Sequence, residues 1–251
     1  MLEYIDSNSN PIAKERAVYY CLAVYFEGEK DGMVRYYSMM GELESETPFV
    51  KGYTNGVSKG YYKNKFLKTE IPYKNDILDG VVNNYYESGT LNSTGLFIDG
   101  KKSGLFTNYF ENGRVQTEII YKHGEKNGMA KANYESGKKY MYTPYVEGRI
   151  NGIATHYYEN GKIEDETPYV NDVKNGIVRQ YFESGKISSE VPFVNGRVTS
   201  GRLKQESPYT DLNANGNVKS YYESGKLQME GPFVNNQSNG LFRNTMRKLG
   251  T

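Results

Sequence analysis

The sequence predicts an all-β fold: an elongated, twisted antiparallel meander of tandem β-hairpin repeats that forms a single-layer, solenoid-like sheet. Three observations predict it. Glycines recur with a 24-residue period, β-branched and aromatic residues dominate the stretches between them, and no stretch has the apolar spacing of a helix. Aliphatic residues are too scarce for a thick core, since the mean hydropathy is −0.74 and Tyr alone supplies 25 residues.

Two slots of the repeat carry the period most clearly. One is a glycine that follows an Asn- or Asp-containing turn, at Gly32, Gly56, Gly80, Gly104, Gly128, Gly152 and Gly176, and again at Gly216 and Gly240. The other slot is aromatic in all nine copies, as Phe49, Tyr73, Phe97, Tyr121, Tyr145, Tyr169, Phe193, Tyr209 and Phe233. Each copy is therefore one supersecondary unit of an array.

Each copy contains two predicted strands and two turns, as in the copy that begins at Gly176. Its strands are IVRQYFE and KISSEVPFV, and the sequence Ser-Gly between them is predicted to form a two-residue hairpin loop. Counting outward from that loop sets Arg179 opposite Glu190. The same count predicts further oppositely charged pairs: Arg35–Glu46, Lys59–Glu70 and Lys219–Glu230.

This register sorts the side chains onto two faces of the sheet. Val178 and Val191 share an apolar face, whereas Arg179, Tyr181 and Glu190 share a polar face. The polar face carries a row of tyrosines that Asn133 interrupts: Tyr37, Tyr61, Tyr85, Tyr109, Tyr157, Tyr181 and Tyr221. Repeated aromatic side chains on an open face suit a protein partner or stacked sugars, and they equally suit rings that only shield the backbone.

A proline precedes the repeated aromatic residue in seven copies: Pro48, Pro72, Pro144, Pro168, Pro192, Pro208 and Pro232. Because proline cannot donate to a sheet ladder, regular pairing is predicted to end near it. The predicted sheet is therefore only about five or six residues wide, and the aromatic residue after the proline is expected to fold over the apolar face and cover it.

The predicted domains are an N-terminal cap at 1–16, a main hairpin array at 17–196 and a shorter array at 197–251. The last boundary follows from the spacing, because Gly176 and Gly216 lie 40 residues apart. This interval is interpreted as two copies, one of which has lost eight residues. Loss of one strand would move the later turns to the opposite sheet edge, and it predicts an irregularity near 195–201.

Charge and cysteine content exclude several classes of protein. The 31 basic and 30 acidic residues balance, so neither a nucleic-acid partner nor attraction to an anionic membrane is expected. The lone Cys21 excludes an intrachain disulfide framework. The apolar run at 17–26 is about half the length of a membrane-spanning helix and is interpreted as a strand, not a signal peptide. A signal removed earlier would indicate a secreted or surface location instead.

No catalytic, metal or cofactor site is predicted. His123 and His156 occupy different slots of the repeat, and neither has a cysteine or a second histidine at ligand spacing. The glutamates that recur once per copy, such as Glu166 and Glu190, are interpreted as a surface charge ladder rather than as paired general acids.

The phrase YYESGKLQMEGPFVN, followed by Asn-Gly, resembles the MORN repeat variant, the second MORN repeat family. The resemblance covers about 17–245, and it departs at KNK in place of ESG, in the copy NYESGKKYMYTPY and in the shortened eighth copy. It implies a bacterial tandem β-hairpin protein of a kind often labelled as the antitoxin of a toxin–antitoxin module. Other members are reported as surface or secreted proteins, and MORN repeats in general are associated with membrane proximity and scaffolding.

The predicted function is that of a non-enzymatic protein-binding scaffold without a cofactor. The resemblance narrows it to an antitoxin or immunity-like protein of the bacterial cytoplasm, whose partner is a toxin or other effector. The candidate binding residues are Arg179 and the tyrosine row: Tyr61, Tyr85, Tyr109, Tyr157, Tyr181 and Tyr221. Two alternatives stay open: a surface or secreted array that binds carbohydrate or a host, and, more weakly, a peripheral membrane scaffold.

Overall fold

The computed structural model describes residues 1–5, 11, 19–198, 215–234, 237–238 and 243–244. The chain divides into two compact units, Met1–Glu125 (unit 1) and Lys126–Thr251 (unit 2), and each is described by itself. The predicted fold class is confirmed, because every regular element in the described ranges is a β-strand and the hairpins form an open antiparallel sheet. The predicted domain boundaries at 17 and 197 stay predictions.

Each pair of consecutive long strands in unit 1 forms an antiparallel hairpin: β5 with β6, β8 with β9, β11 with β12, and β13 with β14. The strands of unit 1 are β1 (Leu2–Ile5), β2 (Tyr19–Leu22), β3 (Tyr25–Phe26), β4 (Glu29–Lys30), β5 (Gly32–Ser38), β6 (Leu43–Val50), β7 (Tyr53–Thr54), β8 (Gly56–Tyr61), β9 (Leu67–Lys74), β10 (Ile77–Leu78), β11 (Gly80–Tyr85), β12 (Leu91–Ile98), β13 (Lys101–Tyr109) and β14 (Val115–Lys122). The short strand β15 (Glu125–Lys126) contains the boundary between the units.

Unit 2 repeats the same order of a six- or seven-residue strand, an eight-residue strand and a two-residue strand. Its strands are β16 (Gly128–Asn133), β17 (Lys139–Val146), β18 (Arg149–Ile150), β19 (Gly152–Tyr157), β20 (Ile163–Val170), β21 (Val173–Lys174), β22 (Gly176–Tyr181), β23 (Ile187–Val194), β24 (Arg197–Val198), β25 (Asn215–Tyr221), β26 (Leu227–Val234), β27 (Gln237–Ser238) and β28 (Arg243–Asn244).

The turn between the two long strands of a copy contains three residues rather than two. In the turn at 183–185, the Phe182 N–H donates to the Lys186 carbonyl at 2.8 Å, and the Gly185 N–H donates to the Phe182 carbonyl at 2.7 Å. Gly185 has a φ of +87°, the left-handed conformation that closes a three-residue hairpin loop. The prediction of a two-residue loop is therefore wrong by one residue.

A β-bulge in the same hairpin cancels that error farther along the strands. The register shifts between Gln180 and Tyr181, so that Tyr181 lies opposite Ile187 while Arg179 lies opposite Glu190 as predicted. The other predicted charged pairs also lie in register. Three of the pairs are close enough to be ion pairs: Arg35–Glu46 at 3.4 Å, Arg179–Glu190 at 3.1 Å and Lys219–Glu230 at 3.8 Å.

The prolines do not end the sheet, so that prediction is wrong. β6 continues through Pro48, which lies opposite Met33 of β5. On the other side of β6, the regular ladder with β7 and β8 is interrupted at Pro48, whose carbonyl accepts the Asn55 N–H at 2.9 Å. The amide and carbonyl of one strand residue point to the same side, so the N–H that proline lacks faces this interruption.

In several copies these prolines add a steric reason for the periodic glycine. A Cβ atom on Gly80 would lie 2.7 Å from Cγ of Pro72 in the preceding copy, closer than real Cβ contacts come. Gly80 also has a φ of +129°, which disfavours other residues. Where Leu96 replaces the proline, a Cβ on the following Gly104 would meet no atom within 4 Å. The glycine and proline slots are therefore sterically coupled.

The buried core is thin, as the composition predicts. In unit 1, Cys21, Ala23 and Val34 form a buried cluster against which the repeated aromatic residue Phe49 packs. Phe49 does so from within β6, opposite Gly32, and does not fold over the face from beyond the sheet as predicted. In the described part of unit 2, the buried side chains are small: Ala130, Ala132, Thr143, Ala154 and Thr167.

The 40-residue interval contains an insertion rather than a deletion. Glu190 of β23 lies opposite Lys219 of β25, just as Glu166 of β20 lies opposite Arg179 of β22. The pairing therefore continues in phase, and the predicted switch of later turns to the opposite edge is wrong. β24 pairs with β23 in the usual way, so the additional residues are those at 199–214. They lie outside the described residues, as does part of the predicted irregularity at 195–201.

Candidate protein-interaction surface

Arg179, Tyr181 and Glu190 lie on one face of the sheet, which we call the tyrosine face together with the equivalent residues of other copies. On this face the tyrosine hydroxyls bind within the sheet. In four copies the hydroxyl donates to the glutamate of the preceding copy: Tyr61 to Glu46 at 2.8 Å, Tyr85 to Glu70 at 2.8 Å, Tyr181 to Glu166 at 2.6 Å and Tyr221 to Glu190 at 3.1 Å. These hydrogen bonds join neighbouring hairpins.

Burial and the neighbouring carboxylate raise the pKa of these phenols. Burial is the larger cause for Tyr61 and Tyr181, the hydrogen bond to glutamate adds to it, and the pKa of each rises to about 12. The same two causes, in the same order, raise the pKa of Tyr85 and of Tyr221. At neutral pH, all four hydroxyls therefore act as uncharged hydrogen-bond donors.

Tyr109 and Tyr157 differ from the other predicted binding residues because the preceding copy offers no glutamate. The position that Glu46 fills in the first copy is taken by Thr94 before Tyr109 and by Tyr142 before Tyr157. The Tyr157 ring instead meets the Tyr142 ring edge-on, with 5.7 Å between the ring centroids. The six predicted tyrosines are thus not chemically equivalent.

A second tyrosine in several copies, which the sequence analysis did not single out, bonds at the bulge. Its hydroxyl donates at 2.7 Å to a backbone carbonyl of the next copy: Tyr62 to Tyr85, Tyr86 to Tyr109, Tyr134 to Tyr157 and Tyr158 to Tyr181. The accepting carbonyl belongs to the residue that follows the bulge, where the ladder is interrupted. The recurring Tyr-Tyr doublet was the available signal, because two adjacent strand residues must serve opposite faces.

The tyrosine face also carries solvent-exposed aliphatic side chains, which the sequence analysis did not predict. They fill the slot two residues before that of Arg179, so strand alternation places them on the same face. In unit 1 they are Val57, Val81 and Leu105, which are 43%, 50% and 49% exposed, and in unit 2 they include Met129 and Ile153, which are 40% and 54% exposed.

In unit 2, two residues of this slot border a hollow of about 230 Å³. The hollow is lined by Ile153, Glu166, Pro168, Gly176, Ile177 and Arg179. Arg179 is ion-paired through Nε to Glu190 at 3.1 Å, and 39% of its side chain is exposed. Tyr181 reaches the same place through its hydroxyl, which binds the lining residue Glu166. Of the predicted binding residues, Arg179 therefore lines this apolar hollow, and Tyr181 is connected to it through Glu166.

Other ionisable groups form local contacts away from the tyrosine face. His156 Nδ1 lies 2.7 Å from Asp165 Oδ2 across one hairpin. In unit 1, Glu3 accepts the Tyr25 hydroxyl at 2.6 Å and the Cys21 thiol at 3.4 Å. Among the described side chains, no three His, Cys, Asp or Glu residues are placed to hold a metal ion. The part of the chain that the structure describes contains no helix able to cross a membrane.

Six segments of the chain match the MORN repeat variant: residues 54–75, 78–99, 102–123, 150–171, 174–195 and 214–235. Together they span just over half of the chain. The chain belongs to the MORN repeat variant family. As a class, such chains are repeat scaffold proteins. The MORN repeat variant match passes over residues 124–149, yet the hairpin there is formed, with Lys131 opposite Tyr142.

No curated protein matches this MORN repeat variant chain. Among solved structures, it is similar to a chain of the structure titled "Crystal Structure of TcdB2-TccC3-Cdc42", with 12% sequence identity and a TM-score of 0.20. The similarity covers 86% of the present chain and 14% of the other one, so this chain spans a small part of that chain's length. A TM-score this low carries no information about function.

Proposed function

We propose that this MORN repeat variant protein is a non-enzymatic scaffold that binds another protein, and that it neutralises this partner in the manner of an antitoxin or immunity protein. The observation that carries the proposal is the hollow of about 230 Å³ on the tyrosine face of unit 2, with Arg179 at its edge. The proposed location is the bacterial cytoplasm, where such a partner would be encountered.

The hollow has the chemistry of an anchor site for one side chain of a partner protein. Ile153, Ile177 and Pro168 supply aliphatic walls, and an apolar side chain of a partner that enters the hollow loses part of its contact with water. A guanidinium has five N–H donors, and the contacts described for Arg179 use Nε alone. The site thus favours an apolar side chain of the partner with a carboxylate beside it.

In the proposed complex the tyrosines contribute through their rings. Because the Tyr181 hydroxyl is held by Glu166, a partner meets the ring and not the hydroxyl. Loss of Tyr181 would also break a bond between two hairpins. Tyrosine-to-alanine changes would therefore mix loss of binding with loss of stability. Exposed residues at the hollow give a cleaner test.

The test compares Ile153→Glu and Arg179→Gln with the wild-type chain by affinity capture from a native bacterial lysate. A matched control is Val81→Glu, which alters the same slot of the repeat in unit 1, at a side chain of similar exposure. We expect one stoichiometric protein to be retained by wild type and by Val81→Glu, and to be lost by both unit 2 variants. Burying an unpaired glutamate in the hollow should weaken binding by about 100-fold, since like-charge or unpaired contacts cost several kcal/mol.

The neutralising role has its own readout. Expression of the captured partner alone should arrest bacterial growth, and co-expression of the wild-type chain, but not Ile153→Glu, should restore it. If the captured partner did not arrest growth when expressed alone, the proposed scaffold function would stand and the proposed antitoxin role would be wrong. Binding to a glycan array that Ile153→Glu abolishes, with no protein captured, would replace the proposal by the carbohydrate-binding alternative.

A further inference from the structure

Unit 1 presents a continuous row of exposed aliphatic side chains on its tyrosine face, which we call the unit 1 stripe. Its members from the first strands are Val57, Val81 and Leu105, and each lies opposite an apolar residue of the second strand: Pro72, Leu96 and Ile120. Ile120 is itself 43% exposed. Soluble monomers seldom expose contiguous apolar patches of this kind, and such patches mark interaction sites.

A row of charges runs beside the unit 1 stripe and alternates in sign from strand to strand. Arg35 of β5 lies opposite Glu46 of β6, Glu46 lies opposite Lys59 of β8, and Lys59 lies opposite Glu70 of β9. These four residues share the tyrosine face, because direct cross-strand partners do. The row therefore reads plus, minus, plus, minus across four neighbouring strands, at about 4.8 Å per strand.

We propose that the tyrosine face of unit 1 binds a second copy of this chain, face to face, about a two-fold axis parallel to the strands and between β6 and β8. Such an axis reverses the order of strands but keeps each residue at the same height along its strand. It sets Glu46 of one copy opposite Lys59 of the other and Arg35 opposite Glu70. It also sets Val57 of β8 over β6 of the other copy, and Val81 of β11 over its β2, where Leu22 is 44% exposed and lies opposite Arg35 on the same face. Leu105 and Ile120 lie beyond this overlap.

The alternation of sign is what selects a second copy as the occupant. A surface whose charges all have one sign would repel a second copy of itself. When a row of alternating charges is reversed about a point midway between two strands, each positive residue instead faces a negative residue of the other copy. Each contact then occurs twice, as the isologous interface of a two-fold dimer requires. Two sheets that pack face to face lie about 10 Å apart, within reach of paired Lys and Glu side chains.

The first test measures the oligomeric state of the full chain by analytical ultracentrifugation. Wild type should be a dimer. Val81→Glu, which puts a charge into the unit 1 stripe, should raise the dissociation constant by about 100-fold, since a buried unpaired charge costs several kcal/mol. Ile153→Glu of unit 2 should remain dimeric. Val81→Glu is the disrupting variant here and the control in the partner-capture test, whereas Ile153→Glu is the control here and the disrupting variant there. Failure of one proposal is therefore distinguishable from failure of the other.

The second test reverses the whole charge row with the variant R35E/E46K/K59E/E70K. Opposite charges remain neighbours within the sheet, and two copies of the variant still match each other. Because Tyr61 and Tyr85 lose the carboxylates that accept their hydroxyls, circular dichroism checks that the variant is folded. In a mixture with wild type, however, every charge would face its like. Native mass spectrometry should therefore find wild-type and variant homodimers without the mixed dimer.

Several results would overturn the proposal. A wild-type chain that stays monomeric at its highest soluble concentration would do so, and so would a dimer that Val81→Glu leaves unchanged. Mixed dimers formed in statistical proportion would rule out the charge register. If the quadruple variant loses the strand signal in circular dichroism, the second test is set aside and Val57→Glu is added to the first, where it should weaken the dimer as Val81→Glu does. Binding of the monomer to lipid vesicles through this face would assign the unit 1 stripe to a membrane instead.

Discussion

The hydroxyl of Tyr158 should stabilise the fold by joining two neighbouring hairpins. It donates at 2.7 Å to the Tyr181 carbonyl, which belongs to the residue after the bulge. Tyr158→Phe removes the donor with little change in shape, and the chain itself has phenylalanine in this slot at Phe110 and Phe182. The carbonyl then loses its partner while it stays partly buried, which costs about 1–3 kcal/mol of unfolding free energy.

Urea-induced unfolding followed by far-ultraviolet circular dichroism measures this loss. The expected decrease corresponds to about 2–4 °C in Tm for each kcal/mol in a chain of 150–250 residues. Tyr86→Phe tests the equivalent bond in unit 1, where the hydroxyl donates to the Tyr109 carbonyl at 2.7 Å. Tyr53→Phe is the matched control, because Tyr53 is 55% exposed and its hydroxyl has no hydrogen bond in the described part of the chain. If Tyr158→Phe were no more destabilising than Tyr53→Phe, the hydroxyl would not couple the hairpins.

Three further predictions follow from the local geometry. The pKa of Tyr181 is raised to about 12, so the stability that this phenol contributes should be constant below pH 10 and fall from pH 10 to 12, which ultraviolet titration at several urea concentrations would detect. Gly80→Ala should lower the free energy of unfolding by about 1–3 kcal/mol, because the new Cβ meets both backbone strain and the side chain of Pro72. Gly104→Ala meets backbone strain alone and should cost less. Equal losses in urea unfolding would exclude the proline contact. The Tyr25 hydroxyl lowers the pKa of Glu3, so stability should fall as pH drops through that lowered value, and Glu3→Gln should remove this part of the acid dependence.

The register of the hairpins was predictable because it depends on counting. Arg179 and Glu190 are opposite each other as predicted, although the loop between them is one residue longer than predicted. The prediction held because the bulge adds one residue to the second strand, which offsets the longer loop. No particular residue type marks a bulge in a sequence. The pairs beyond the bulge were therefore predicted correctly, and the turn itself was not.

The errors at the prolines and at the 40-residue interval have a common physical origin. In both cases the outcome depends on which neighbour each edge of a strand faces. Pro48 is tolerated because its side without an N–H faces an interruption in the ladder. The pairing of Glu190 with Lys219 shows that extra residues can leave the sheet in phase. The spacing of glycines alone does not distinguish an insertion from a deletion.

The candidate surface was predictable only in part. The tyrosine row and Arg179 follow from the period, and the structure places Arg179 at the hollow and joins Tyr181 to the lining residue Glu166. The Tyr181 hydroxyl binds a glutamate of the preceding hairpin. This contact depends on how neighbouring hairpins pair, and the sequence of one copy does not specify that pairing. The exposed Ile153 was missed because an aliphatic residue in a strand is ordinarily assigned to the buried face.

The central claim is that neighbouring hairpins stack in one register, with Glu166 directly opposite Arg179 on the tyrosine face. Oxidative cross-linking of paired cysteines in a Cys21→Ala background tests it most directly, because directly opposed strand residues lie within disulfide distance. The pair Glu166→Cys with Arg179→Cys should form a disulfide readily. The pair Glu166→Cys with Gln180→Cys, one residue out of register and on the opposite face, should not. Cross-linking of the second pair in preference to the first would contradict the account.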